Sequence, residues 1–167
     1  VSTSTAGFLG QTERGPVDLR LVTGFGQFQQ LYGGFIDSSY LAYAVDGFFR
    51  NGGQRCYIGR IAGKDAKTAS AALKKGIETA IEVSALGPGD WGKRIAVKVD
   101  NASLKAIKPE LFKLSVAYWS ETPATPPDDE TATILEVYDN LSPISSSSDY
   151  YLKRVNGISN LITLATV

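Results

Sequence analysis

Two changes in hydrophobic period predict an α+β fold: a small α/β unit of order β-β-α-α-β, joined to a β-rich antiparallel domain. The first observation is a helical stripe, Leu41, Ala44, Val45, Phe48 and Phe49, flanked by short apolar runs. The second is a switch near residue 77 to strict alternation. The third is Gly/Pro punctuation between the alternating runs, which suits turns between strands. These place the α/β unit at 1–62, a linker at 63–75, the β-rich domain at 76–155 and a strand returning to the first unit at 156–167.

Thr5–Gly10 is a short apolar run that reads as a strand, broken by Glu13-Arg14-Gly15-Pro16. Leu19, Leu21 and Val22 form a second strand. Thr23 can cap a short helix carrying Phe25, Phe28, Leu31 and Tyr32 on one face, closed by Gly33-Gly34. Ser38 or Ser39 then caps the main helix, which Asn51-Gly52-Gly53 stops. Gln54 to Ile61 reads as a buried strand, with Cys56 to Ile61 as its core.

The stretch 64–73 is polar and alanine-rich, a linker with a helical turn. Ile77, Thr79, Ile81 and Val83 alternate with polar neighbours, as do Ile95, Val97 and Val99. Joined by a Gly/Pro loop, the two runs predict a hairpin, with Glu78 and Glu82 facing Arg94 and Lys98. Phe112–Tyr118 and Ile134–Val137 predict a second hairpin across the proline-rich loop 122–129. Ser145–Ser148 is low in complexity, Asp149 can cap a short helix to Val155, and 160–167 reads as a strand. The end inside the apolar run 161–164 suggests a fragment of a longer protein.

Composition narrows the chemistry. The 167 residues carry 17 basic and 17 acidic side chains, so there is no basic footprint for nucleic acid, and near-zero net charge permits dense self-association. Histidine is absent and Cys56 is the sole cysteine. That removes an intrachain disulfide, the usual Cys/His zinc sites and Ser-His or Cys-His nucleophile pairs. No run approaches the roughly 20 apolar residues of a membrane span, so no direct membrane insertion is expected. Two glycosylation sequons, at Asn101 and Asn140, lack secretory context.

One segment imitates a catalytic motif. Gly87-Pro88-Gly89-Asp90-Trp91-Gly92-Lys93-Arg94 satisfies G-x-G-x-x-G and the G-x-x-x-x-G-K core of a phosphate loop. Such loops bind phosphate through backbone N–H groups at the start of a helix. Here Arg94 stands where Mg²⁺ coordination wants Ser or Thr, Asp90 sets a carboxylate beside the phosphates, and strand period follows instead of helix. A structural turn with Trp91 packed as a lid is the better reading; a nucleotide-binding enzyme is the rival. Asp128-Asp129-Glu130 lacks the spacing of a calcium loop and reads as a solvated loop. The aromatics around Tyr32, Tyr40, Tyr43, Phe48 and Phe49 have no interleaved cations, which favours packing over base stacking. No catalytic residue, metal ligand or cofactor site is expected.

Three stretches together resemble the contractile tail sheath proteins of phages and phage-derived injection systems. The first runs from Ser4 to Pro16, with Phe8, Gly10, Gly15 and Pro16, and continues through 21–34. The second is 40–58, with Tyr40, Phe48, Phe49, Gly52 and Gly53. The third is 84–95, with Gly87, Pro88, Gly89, Trp91 and Gly92, and a weaker match follows at 155–162. Residues 101–150 match no family pattern. The resemblance implies a structural, non-enzymatic subunit that polymerises helically on a tail tube and contracts to drive it through a cell envelope. It implies other sheath subunits, tube and baseplate proteins as partners, with no nucleic acid. It implies the virion tail as location, with the host cytoplasm during assembly. It also implies a tube-proximal place for 1–62, a peripheral one for 76–155, and an N-terminal arm and C-terminal domain beyond this chain. The remaining rival is a surface module of a tail that forms no sheath.

Overall fold

A computed structural model describes residues 5–75, 77–122 and 129–167. The chain divides into two compact units, each described by itself. One is the chain up to Ala69 together with Leu86–Gly92; the other is Ser70–Ala85 with Lys93–Val167.

The first unit follows the expected order: β1 (Thr5–Gly10), β2 (Arg20–Val22), α1 (Phe25–Tyr32), α2 (Leu41–Arg50) and β3 (Arg55–Arg60). Strand β3 is central, parallel to β1 and antiparallel to β2. Alternation sends Cys56 and Ile58 to one face, where they are fully buried with Val22, Phe28, Tyr32 and Val45. Ala6 and Phe8 of β1 pack on the same cluster. The α2 stripe differs from expectation at one position: Leu41, Ala42 and Val45 are buried, Ala44 is exposed, and Phe48 and Phe49 are half-buried. At about 100° per residue Ala42 and Ala44 lie on opposite flanks of Leu41 and Val45, and the core takes up the Ala42 flank.

The helix ends follow local chemistry. Thr23 does not cap α1; its N–H and hydroxyl both donate to Gln27 Oε1, which reaches back over the first turn. Of the two serines before α2, Ser39 supplies the acceptor for Leu41 N–H at 3.2 Å. At the far end Gly53 N–H donates to Phe48 O at 2.9 Å, so the expected Asn51-Gly52-Gly53 stop is real.

The second unit is β-rich and antiparallel. One sheet joins β4 (Ser70–Lys75), β5 (Glu78–Ala85) and β9 (Ile162–Thr166) in the order β4-β5-β9. The other joins β6 (Ile95–Asn101), β7 (Phe112–Tyr118) and β8 (Ile134–Leu141) in sequential order. A short helix α3 (Tyr151–Val155) precedes β9. Leu114, Val116, Tyr118, Leu141, Val155, Leu161 and Ile162 are buried here.

Four expectations need correction. The runs at 77–83 and 95–99 do not form a hairpin: β5 pairs with β4 and β9, and β6 pairs with β7. Glu82 accordingly faces Ala72 and Ala165, and Lys98 faces Ser115, so the supposed charge pairing is absent. Alternation fixes the face of a strand and not its partner. The linker expected at 63–75 contains β4, whose alanines and lysines have helical propensity that pairing with β5 overrides. The final strand pairs with β5 and not with the first sheet. Asp149 does not cap α3; its carboxylate holds Arg154 at 2.8 Å. The second expected hairpin is present, as β7 and β8 pair antiparallel. Of the loop between them, 123–128 lies outside the described residues, and with it part of the Asp128–Glu130 run.

Candidate functional site

The first two stretches singled out in the sequence meet residues 86–92 of the third in the first unit. Glu13 to Pro16 wraps the C-terminal end of α1, whose last carbonyls need donors. Arg14 supplies them: one guanidinium nitrogen donates to Gln29 O at 2.8 Å and to Gln30 O at 3.1 Å. Its neighbour Glu13 accepts from Gly34 N–H at 3.0 Å, and Arg14 N–H donates to Tyr32 O. Arg14 is buried, and its charge is met by helix carbonyls and by the Glu13 carboxylate at 3.5 Å.

The glycine-rich segment docks on this wrap. Arg60, the last residue of β3, donates from one nitrogen to Gly15 O at 3.1 Å and to Pro88 O at 2.9 Å. One guanidinium thus ties the first and third stretches to the end of β3, just past the second. Gly87 lies against the backbone of Gly15 and Pro16, so close that a side chain there would collide with the Gly15 carbonyl. Gly89 has φ +123°, a backbone region that L side chains rarely adopt, and its N–H donates to Lys67 O at 3.0 Å. Trp91 is buried, and its indole N–H returns to Pro88 O at 3.0 Å. Burial lowers the Arg60 pKa, yet an arginine remains charged. Its Nε is buried without a partner.

This geometry leaves no cradle for phosphate. A phosphate loop presents free backbone N–H groups at a helix start. Here Asp90–Arg94 is a single 3-10 turn running directly into β6. The Pro88 carbonyl points at a cation, and Gly87 is filled by neighbouring backbone. The segment is a turn packed against the 15–16 backbone, and it is no hairpin loop.

Several of the remaining motif residues take packing positions, and Gly52 and Tyr40 do not. Phe8 and Phe48 meet edge to face at 5.7 Å, and Phe48 meets Phe49 likewise at 5.3 Å. Gly10 lies under Leu41, and Gly53 gives room to the Phe48 ring. Gly52 stands in open space at φ +86°. Tyr40 is 87% exposed and packs into no core. Arg14 and Arg60 were missed in the sequence. The available signal was an arginine ending an apolar strand, where a charge must find acceptors.

A second polar centre lies in the other unit. The Glu136 carboxylate accepts from Ser159 Oγ at 2.6 Å, Asn160 N–H at 2.9 Å and Tyr138 OH at 2.9 Å. Ser159 Oγ in turn accepts from Leu161 and Ile162 N–H, which fixes the turn into β9. Burial, then the adjacent carboxylate, raises the Tyr138 pKa. Among the described residues no three His, Cys, Asp or Glu side chains gather as a metal-binding group. No described helix is long and apolar enough to cross a membrane.

No family model and no curated protein sequence matches the chain. Its α+β fold, with a three-stranded sheet under two helices in one unit and antiparallel sheets in the other, is one already seen in a tail structural protein. That protein is the sheath tail protein Lin1278 from Listeria innocua, which this chain resembles with a TM-score of 0.54 at 16% identity over 98% of its own length. The chain spans 30% of the length of Lin1278. At that identity the likeness is one of fold.

Proposed function

We propose that this chain is part of the sheath subunit of a contractile phage-type tail. The observation that carries the reading is the fold likeness to a sheath tail protein across 98% of the chain. The three stretches resembling sheath proteins support it, since the structure uses them together as one packing unit.

In this reading the protein acts by assembly. Subunits join through heterologous contacts that do not close, which produces an open helix around the tail tube. Contraction is rigid-body repacking at the interfaces, started by the baseplate, and its free energy comes from better contacts in the shortened state. No nucleotide is required. The 87–94 segment serves the fold, with its Pro88 carbonyl engaged by both Arg60 and Trp91. The subunit then resides in the virion tail and reaches the host cytoplasm only while tails are built, with residues 1–62 nearer the tube and the β-rich unit peripheral.

The test is negative-stain electron microscopy of the full-length gene product. Hollow striated tubes, wide enough to enclose an inner tube, are expected. Discrete monomers or small oligomers under every condition would overturn the sheath reading in favour of a surface module. Titration of ATP with Mg²⁺ is expected to show no binding; saturable binding would restore the enzyme reading.

A further inference from the structure

The sheet of the first unit has helices on one face and exposed apolar side chains on the other. Helices cover the sheet face carrying Cys56 and Ile58. The opposite face holds Leu9, Leu19, Leu21 and Tyr57, which are 74, 62, 44 and 43% exposed. These are neighbours: Leu21 pairs with Tyr57, and Leu9 and Leu19 both reach over Gly59. A contiguous apolar sheet face is uncommon on a protein that stays alone. Arg55 lies on the same face, exposed, its Nε donating to Thr5 Oγ1 at 2.8 Å.

A complementary surface lies on the other side of the same unit. α2 buries Leu41 and Val45, so Tyr43 points away from the core. Together with Ile36, Asp37 and Tyr40 it lines a shallow recess of about 390 Å³. Tyr43 stacks on the half-exposed Phe35 at 4.4 Å. Exposed tyrosines around a recess are the side chains that most often anchor protein contacts. Asp37 is exposed at its rim, and among the described residues neither Asp37 nor Arg55 has an ion-pair partner.

We infer that copies of this chain stack head to tail through the first unit, the open sheet face of one seating on the aromatic recess of the next with Arg55 against Asp37. The two surfaces match in apolar character and oppose in charge. They lie on opposite sides of one unit, so a two-fold dimer cannot satisfy both, and the contact repeats without closing. Each contact is small and weak alone; many repeated contacts make a lattice stable. The inference deepens the sheath reading by naming the partner, a second copy, and the surfaces it meets.

Sedimentation of the 167-residue chain tests it. The wild type is expected to grow past dimer as concentration rises, less so at high salt. Asp37→Arg and Arg55→Asp, both exposed sites, should keep the wild-type melting temperature and each weaken association about tenfold, since one close pair is made repulsive. Mixed one to one, the two variants should regain growth: Arg55 of the first meets Asp37 of the second, and each swapped charge also finds its opposite. The chain carrying both substitutions should associate like wild type. A wild type that stays monomeric at all concentrations, single variants that associate normally, or a mixture that gains nothing would each overturn the inference. The sheath reading is judged separately. Tubes from full-length protein that survive both single swaps would remove this contact and keep the sheath. A chain that associates as described, with no tubes from the full-length product, would do the reverse.

Discussion

Arg60 is the residue whose loss the first unit should tolerate least outside its apolar core. It is the shared donor to Gly15 O and Pro88 O, and both carbonyls face it from segments with no regular structure. Arg60→Ala should cost about 2–3 kcal/mol, because bonds to a charged donor are worth more than neutral ones and the buried Gly15 carbonyl loses this donor, while Pro88 O keeps Trp91. Arg60→Lys should recover only part of this, since an ammonium lacks the planar fork. Thermal melts decide it, and an alanine variant melting with wild type would refute the clamp. Glycines grade the same site. Gly87→Ala should cost about 1–3 kcal/mol, because the new methyl meets a carbonyl that cannot yield. Gly52→Ala, with open space around it, should cost only the backbone strain, about 1 kcal/mol. Gly89→Ala combines strain with approaches to Trp91 and Arg60 at 3.1 and 3.3 Å, so it should exceed Gly52→Ala. The glycine and tryptophan pattern was visible in the sequence as a turn. Its anchor was not, because Arg60 finds acceptors 45 and 28 residues away along the chain.

At the scale of elements, burial ranks the helices' contributions. Phe28 is fully buried in the first core, whereas Phe48 is half-buried at its edge against Phe8. Phe28→Ala should therefore destabilise by about 3–5 kcal/mol and Phe48→Ala by roughly half that, since the cost follows the apolar area each ring buries and the cavity its removal leaves. Urea unfolding of both variants measures the order; an equal or reversed order would show that the Phe28 ring does not carry the larger share of the core. The helical stripes of α1 and α2 and the alternation of β3 were legible because each is a local pattern, set by the faces one element must bury. Pairing was not legible. β5 alternates cleanly, yet the same pattern would suit β6, β4 or β9 as neighbour, and the choice rests on contacts distant in sequence. The segment 70–75 failed for the opposite reason: its alanines and lysines favour a helix locally, and β5 recruits it as an edge strand. The Glu136 latch belongs here too, since it joins β8 to the turn before β9. Glu136→Ala should strip Ser159 and Asn160 of their acceptor and increase hydrogen exchange in 159–166, with β1–β3 unchanged. Uniform exchange across both units would contradict that local role.

The whole molecule has an unusual titration, because it has no histidine. No side chain has an ordinary pKa between about 5 and 8, so charge and stability should stay nearly flat across that range. Acid loss has one identified contributor. Hydrogen bonds from Ser103 hold the exposed Asp139 carboxylate below its ordinary value, so its share is present above pH 3.8 and fades as pH falls through the depressed value. The alkaline side is set by buried neutral groups. Burial pushes the Cys56 thiol from 9.0 up to about 11, and pushes Tyr32 and Tyr151 from 10.0 up to about 12. Each folded pKa lies above the unfolded one, so the unfolded chain releases its proton first. The stability from Cys56 is thus complete below about pH 9 and is lost as pH rises to about 11; that from the tyrosines is lost between about 10 and 12. Cys56→Val, which keeps an apolar side chain of similar size in the first core, should shift the onset of alkaline destabilisation from about pH 9 to about pH 10. Melts of both chains from pH 6 to 11 provide the comparison. Coincident alkaline edges would mean that the thiol titrates alike folded and unfolded, and that burial does not hold it protonated.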